Sequence, residues 1–577
     1  MSRRSQTVTQ IATWRLLVMA ALLVAMFALL LGRLLVLQVL DSDRGVTFLQ
    51  RQGAMRAVRA SEIPAYRGVI TDRRGTPLAV STPVVSLWAN PQVLQTQATP
   101  RIAALASALG LSESALQKRL ADNADRQYMY LARHLTPDKA RDVLTLNIEG
   151  VGSEREYRRF YPVGEVAAQL VGLTNVDGEG ISGIEKAMDS WLQGSPGLRR
   201  YIKDLHGDAV RDIGVIDEAV DGQTVVLSID LRMQYLQHRE LQRAMQETGA
   251  TAASAVTIDA WTGEVLAMSN FPTFNPNSRA SFDFSATRNR TVTDEFEPGS
   301  TMKPLTLVAA LESGQFTTDT EIDTNPGRLQ VGDKVLTDPR NYGVLTLAEV
   351  IEKSSQIGVT RVAQQLGYQP ILDVYRRFGL GMATQVGFPG EREGILPDRP
   401  RWSPIEEVTL AFGYGLTATP MQLAQAYGIF ANRGRSTPLS LLRADDFVDR
   451  SVPVISEDVA QEVLRVLEGV ASDRGTASRA RVPGFAVGGK TGTVHKVTQG
   501  GYDDHRYVAL FVGIAPMDAP RYVTAVVIDE PQGDRYGGGS AAAPVYSRIT
   551  DGILRLGNAI PQVAQHNAQS VTLGGGQ

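Results

Sequence analysis

The hydrophobic pattern separates one unbroken apolar run from a long remainder in which apolar and polar positions alternate at strand or helix period. No charged residue lies between Leu16 and Gly32, and the apolar character resumes beyond Arg33. About 20 such residues cross a bilayer, and an arginine near one end reaches the interface with its long side chain. Arg3, Arg4 and Arg15 precede the run, so the positive-inside rule places the N-terminus in the cytoplasm and everything after Asp41 outside. A cleaved signal peptide is the alternative, but the run is longer than a usual h-region and no A-x-A site follows it. The expected layout is a cytoplasmic tail (1–15), a transmembrane helix (16–40) and a linker (41–56), with membrane lipid as the first partner.

Beyond the linker, "RGVITDRRGTPLAVS" predicts two short strands around a turn, from Val69 and Ile70 through Asp72–Gly75 to Pro77–Val80. From Thr99 to Leu146 the chain is Ala- and Leu-rich at helical spacing, with "LSES" as a cap for a second helix. "DGQTVVLSIDLRMQYLQHRELQRAMQET" predicts a strand and a long helix, and a new domain starts there. The order that follows is strand, helix, hairpin, helices and strands, which is the pattern of an α/β or α+β domain with an antiparallel sheet. Its hairpins turn at Trp261–Gly263 and at Pro516–Pro520. The resulting division is an N-terminal mixed α/β domain (57–219), a second domain (220–559) and a polar, Gly-rich tail (560–577).

Composition narrows the chemistry by exclusion. With 58 lysines and arginines against 61 acids, the net charge of -3 gives no reason to expect nucleic acid. The absence of cysteine removes disulfides, thiol nucleophiles and thiolate metal sites, and suits an oxidising compartment. The six histidines lack ligand spacing, and His495 and His505 read as surface polar residues, so neither metal nor cofactor is expected.

Three short stretches carry candidate chemistry. In "FEPGSTMKPLTL", Pro298 and Gly299 end one element, and Ser300 is an N-cap candidate for a helix carrying Leu305, Leu307 and Val308. Ser300 and Lys303 also stand one turn apart on one face, a nucleophile beside a possible base at a helix start that favours developing negative charge. "EKSSQIGVTRVAQQLG" opens a helix with Ser354, Ser355 and Gln356, and "VPGFAVGGKTGTVHKV" places Lys490, Thr491, Gly492 and Thr493 in a strand. Singly, the serines read as caps and the K-T-G as an exposed edge. Together, in this order within one domain, they are far less readily explained by those separate readings.

This combination resembles the penicillin-binding protein and serine β-lactamase superfamily, whose S-x-x-K, S-x-N and K-T-G elements line a single cleft. The closer resemblance is to the class B penicillin-binding proteins of the cell-division D,D-transpeptidase type. "RGVITDRRGTPLA" and "GISGIEKAMDSWLQG" resemble that family's N-terminal pedestal (dimerisation-like) domain. "RNRTVTDEFEPGSTMKP", "TLAFGYGLTATPMQLAQAYGIFANRG" and "GGGSAAAPVY" resemble its transpeptidase domain.

The resemblance implies an antiparallel sheet flanked by helices, mounted on the pedestal and carried by one transmembrane helix. It also implies cross-linking of peptidoglycan stem peptides that end in D-Ala-D-Ala, and covalent inhibition by β-lactams. Ser300 is then the nucleophile and Lys303 its neutral base, its pKa depressed by partial burial and by the charge of Lys490. Backbone N–H groups of Ser300 and Thr493 form the oxyanion hole. Lys490, Thr491 and Thr493 hold the donor's carboxylate, and Gly492 leaves room for the substrate backbone. Ser354 relays the proton to the leaving D-alanine. Gln356 departs from the asparagine of S-x-N; its amide is expected on Lys303 and on the substrate's peptide carbonyl.

Competing readings are a D,D-carboxypeptidase or β-lactamase, an elongation-type transpeptidase, and a non-catalytic β-lactam sensor or scaffold. No β-lactamase-like acidic deacylation motif is evident, and intact Ser300, Lys303 and Lys490 oppose the sensor. The N-terminal part lacks the acidic motifs of a glycosyltransferase, so a membrane-embedded glycan polymerase is expected as a separate partner beside other division proteins. The expected location is the bacterial inner membrane at the division site, with the catalytic domain periplasmic.

Overall fold

The computed structural model describes residues 13–38, 58–97, 99–203, 209–278, 283–444, 448–498 and 501–561. Most of the expected cytoplasmic tail, the whole of the linker and the chain beyond Pro561 lie outside the described residues. The chain divides into two compact units, residues 1–65 with 195–221, and 66–194 with 222–577. The expected pedestal segment contributes to both.

The first unit contains the helix Thr13–Gln38 and an antiparallel sheet in the order Val58–Ile63, Gly197–Lys203, Ala209–Asp217. Thr13–Leu37 is long and apolar enough to cross a membrane, and none of its apolar window is buried. A helix that is hydrophobic all round and has no protein cover finds its solvent in lipid.

In the second unit the strand Pro77–Ala89 pairs with Ile70–Thr71, Met129–Leu135 and Val151–Phe160. Ile70–Thr71 also runs parallel to Val225–Val226, tying this sheet to the segment that enters the C-terminal half. The turn expected at Asp72–Gly75 is present: Asp72 Oδ1 accepts from the backbone N–H of Arg74 and Thr76 at 2.9 and 2.7 Å. The strand after it runs 13 residues, longer than expected. Helices Thr99–Leu109, Glu113–Ala121 and Pro137–Leu144 occupy the Ala- and Leu-rich region, and Ser112 of "LSES" caps the second. Met129–Leu135 corrects that reading, because "MYLARHL" alternates, with Met129 and Leu131 buried, and completes a sheet edge between two helices.

A buried ion cluster sits at the base of this sheet. Glu185, fully buried, accepts from Arg67 Nε at 2.8 Å and from Arg159 Nε at 2.6 Å. Arg67 also pairs with Asp189 at 2.8 Å, so removing Glu185 leaves Arg159 as a buried guanidinium without a carboxylate, and Glu185→Ala is expected to cost about 3 kcal/mol. Thermal unfolding of the purified protein checks this; an unchanged first transition would show that the cluster is not structural.

The C-terminal half is built from α1 (Leu231–Thr248), β1 (Ala252–Asp259) and β2 (Val265–Phe271). A helical block follows with α2 (Lys303–Glu312), α3 (Gln356–Leu366), α4 (Pro420–Ala431) and α5 (Glu457–Val470). The chain closes with β3 (Gly488–Thr498), β4 (Gly501–Ala515), β5 (Tyr522–Asp529) and α6 (Ala543–Leu556). The sheet order is β2-β1-β5-β4-β3, antiparallel throughout. Every residue of β1 is buried, which requires cover on both faces. Ala253 and Ala255 meet Leu241 of α1 with Val545 and Ile549 of α6, whereas Val256 and Ile258 belong to the core that contains Leu305, Val308, Leu423 and Leu467. The sheet is thus the middle layer of three, and β3 is its edge, facing the helical block.

Candidate active site

The Ser300 turn does not begin as a capped helix. Gly299–Met302 is one 3₁₀ turn, and the α-helix starts only at Lys303, with no side-chain cap at either start. Pro304 explains the switch: it lacks the N–H that would reach the Ser300 carbonyl four residues back, so Lys303 N–H closes a tighter bond to that carbonyl instead. Ser300 is therefore half-buried with its hydroxyl uncommitted to capping, and the N-cap reading is corrected. Its N–H lies at a helix start, where amides have no preceding intrahelical acceptor. Thr301 Oγ1 donates to the Pro298 carbonyl at 2.7 Å, and buried Tyr427 of α4 donates to the Thr301 carbonyl at 2.7 Å. These bonds fix the turn against the block.

Backbone shape brings the turn to β3. Gly299 has φ +56°, and a Cβ there would stand 2.4 Å from Val494 Cγ1. Across from it, a Cβ on Gly492 would meet the Pro298 carbonyl and Thr301 Cγ2 at 3.0 and 3.1 Å. The room left by Gly492 is thus occupied by the 298–301 turn and Leu510, not kept open for the substrate, which corrects the expected role of that glycine.

Lys303 leaves α2 into a fully enclosed position. Its Nζ donates to the Ser354 carbonyl at 2.6 Å, Ser354 Oγ at 3.1 Å and the Ser355 carbonyl at 3.4 Å. Ser354 makes this possible by adopting φ +58°, a left-handed conformation rare outside glycine that turns its carbonyl and hydroxyl onto the same amine. Ser355, not Ser354, is the cap: its Oγ accepts from Gly358 N at 2.9 Å and donates to Asp338. Asp338, in the loop after strand Lys334–Thr337, also accepts from the N–H groups of Gln356 and Ile357 at 2.6 and 3.3 Å. A carboxylate thus closes the open N-terminus of α3 and holds the Ser354 turn.

Lys490 comes from β3 and is also wholly buried, with Nζ 3.0 Å from Ser354 Oγ and 3.4 Å from the Thr491 carbonyl. One hydroxyl therefore bridges two lysines. Burial lowers Lys303 to about 7, with the Asp338 carboxylate opposing the shift. Burial, reinforced by the Lys303 charge, pushes Lys490 well down. The two share one oxygen and titrate as a pair, which holds fewer protons than two free lysines would. This corrects two expectations. The depression of Lys303 comes from burial more than from its neighbour, and Lys490 is not an accessible cation that could touch a carboxylate.

The remaining predicted residues lie around this centre. Thr491 is buried and its Oγ1 stands 3.3 Å from Thr476 Oγ1. Thr493 is exposed, and its Oγ1 accepts from Gly538 N at 2.9 Å. Gln356 begins α3, half-buried; Lys303 bonds to Ser354 and Ser355, so the expected Gln356–Lys303 contact is not made. Sequence reasoning missed Asp338, Tyr427, Thr476 and Gly538. Only Asp338, followed by Pro339, gave a local signal, and that signal was for a turn. No group of residues able to hold a metal occurs among the described residues.

The comparisons agree with this geometry. Residues 253–551 match the penicillin binding protein transpeptidase domain and residues 62–227 the penicillin-binding protein dimerisation domain. The chain is 42% identical over 95% of its length to a Pseudomonas aeruginosa protein named "Probable peptidoglycan D,D-transpeptidase PbpC", of which 96% is covered. It is 40% identical over 97% of its length to peptidoglycan D,D-transpeptidase FtsI of Escherichia coli, of which 94% is covered. Among solved structures, penicillin-binding protein 3 of Mycobacterium tuberculosis complexed with aztreonam matches 87% of this chain and 98% of its own, at 29% identity and a TM-score of 0.67. With both domain matches and relatives of this identity along nearly the whole chain, the protein belongs to the penicillin-binding protein transpeptidase family, as a class B member of the FtsI type.

Proposed function

We propose that this protein is a peptidoglycan D,D-transpeptidase that cross-links stem peptides ending in D-Ala-D-Ala through an acyl-enzyme on Ser300, and that β-lactams trap it there. The observation that carries the residue assignment is the hydrogen-bonded Lys303–Ser354–Lys490 chain beside the Ser300 turn, with both lysines fully buried. The names of the relatives and the aztreonam complex of a solved neighbour support the substrate and inhibitor classes.

In acylation, neutral Lys303 takes the Ser300 proton as Oγ attacks the carbonyl carbon of the penultimate D-alanine. The oxyanion is received by the N–H groups of Ser300 and Thr493. The proton passes from Lys303 through Ser354 Oγ to the nitrogen of the departing D-alanine as its C–N bond breaks. Lys490 sets the charge and orientation of that relay from inside the protein. An amine of a second stem peptide then attacks the ester, its proton returns by way of Lys303 to Ser300 Oγ, and the cross-link is released. The hydroxyls of Thr491 and Thr493 hold the donor's carboxylate.

Gln356 projects from the same turn as Ser354, and its amide is assigned to the substrate's peptide carbonyl. Gln356→Ala is therefore expected to slow acylation by roughly tenfold to a hundredfold, equivalent to about 1.4–2.7 kcal/mol, with Gln356→Asn retaining more activity. Stopped-flow acylation by a fluorescent penicillin decides it: an alanine variant as fast as the parent removes Gln356 from the site. The decisive test of the function is mass mapping of the labelled residue together with conversion of a stem-peptide donor and an amine acceptor to the cross-linked product. Labelling elsewhere than Ser300, or hydrolysis alone, overturns the reading.

The apolar N-terminal helix and the preceding arginines support a single-pass anchor in the bacterial inner membrane, with the N-terminus cytoplasmic and the pedestal (57–219) and transpeptidase domain (220–559) periplasmic. The likeness to FtsI supports work at the division septum, beside a separate membrane-embedded glycan polymerase and other division proteins.

A further inference from the structure

Lys490 has no exposed surface, and both of its Nζ contacts lie within the protein. A carboxylate entering the cleft along β3 therefore meets hydroxyls first. Two of them, on Thr491 and Thr493, belong to the K-T-G-T run. A third comes from outside the three motifs: Thr476, in the loop between α5 and β3, is exposed and places Oγ1 3.3 Å from Thr491 Oγ1.

The loop that carries it is built, not incidental. Ala477 N–H donates to the Val470 carbonyl at the end of α5 at 3.0 Å, and Gly475 N–H donates to the Ser472 carbonyl at 3.2 Å. A Cβ on Gly539 would stand 2.7 Å from the Thr476 carbonyl, so the glycine lets the turn 537–542 close against this loop. That turn also supplies Gly538 N–H, which donates to Thr493 Oγ1 at 2.9 Å and leaves the Thr493 proton available as a donor. Thr476 and Thr491 share a single hydrogen bond between two hydroxyls, so one O–H is spare and the other is freed by a rotation about χ1. Donation to an anionic acceptor is stronger than the neutral hydroxyl pair it replaces.

We propose that Thr476 is a further substrate-binding residue, whose hydroxyl donates to the terminal carboxylate of the donor stem peptide, or the ring carboxylate of a β-lactam, together with Thr491 and Thr493. The inference rests on the function proposed above. It makes carboxylate recognition a matter of three hydroxyls from two segments, with the buried lysine acting behind them.

The test uses the full-length protein in detergent and compares acylation by benzylpenicillin with acylation by its methyl ester, which has the same ring but no charge. Thr476→Val is expected to lower the benzylpenicillin rate, and with it the acid-to-ester rate ratio, by roughly tenfold, as for loss of one charge-assisted hydrogen bond. Thr476→Ser keeps the hydroxyl and is expected to restore the ratio. An unchanged ratio in Thr476→Val overturns the proposal, whether both rates fall together, as for a purely structural loop, or neither falls. If the parent forms no acyl-enzyme on Ser300, the function itself fails; if the parent is acylated and the ratio holds, only the role of Thr476 fails.

Discussion

Ser300→Ala is expected to abolish covalent labelling by penicillin, with the acylation rate reduced by at least about 10⁴-fold, because the attacking oxygen is gone and the neighbouring hydroxyl, Ser354 Oγ, is held between Lys303 and Lys490. The structure makes this a clean experiment. Ser300 Oγ caps no helix, and the turn around it is held by Thr301, Tyr427 and the backbone bond from Lys303 N–H to the Ser300 carbonyl. Alanine leaves each of those bonds in place, so thermal unfolding should stay within about 0.5 kcal/mol of the parent. Retained labelling in a folded Ser300→Ala protein would assign the nucleophile elsewhere. Loss of labelling together with loss of the folded state would instead show that the serine is structural.

The sequence was most legible where a local pattern decides a local structure. The hairpin turns at Trp261–Gly263 and Pro516–Pro520 lie between paired strands as expected, the first because Asp259 accepts from the N–H groups of Trp261 and Thr262 at 3.0 and 3.3 Å. Ser112 caps its helix as "LSES" suggests. The strand Met129–Leu135 was hidden because a seven-residue alternation is weaker than the Ala- and Leu-rich helical spacing on either side of it. At the site, residue identity was readable but burial and long-range pairing were not. Nothing near Lys490 in the chain says that its ammonium is enclosed, and nothing near Ser355 says that its capping oxygen is shared with a carboxylate 17 residues earlier. Ser300 and Ser354 show the same limit from the other side. Both were plausible helix caps, and in both cases a neighbour took that role or removed the need for it: Pro304 shifts the start of α2, and Ser355 caps α3.

Lys303→Met should separate catalysis from stability. Methionine fills much of the lysine's volume without a titrating group, so acylation is expected to fall by at least roughly 10³-fold with the general base gone. Stability should move the other way. Lys303 titrates at about 7 in the fold, against 10.5 for the unperturbed side chain. Below pH 7 it is charged in both states, and the folded protein bears the full cost of an enclosed ammonium. Between 7 and 10.5 the folded lysine is neutral while the unfolded one remains charged, so that cost shrinks by about 1.4 kcal/mol for each pH unit. Methionine should therefore stabilise the protein most at pH 6 and distinctly less at pH 9, whereas the parent gains stability as pH rises through this range. In the parent, the acylation rate should climb between pH 6 and 8 as Lys303 becomes neutral and then level off. Asp338→Asn removes the carboxylate that raises Lys303, so it should shift that rising limb toward acid. Unfolding of Lys303→Met and its parent at pH 6 and 9, with acylation profiles of the parent and Asp338→Asn, tests each sign. A stability difference independent of pH, or a rising limb unmoved by Asp338→Asn, would mean that the acylation profile reports a group other than Lys303.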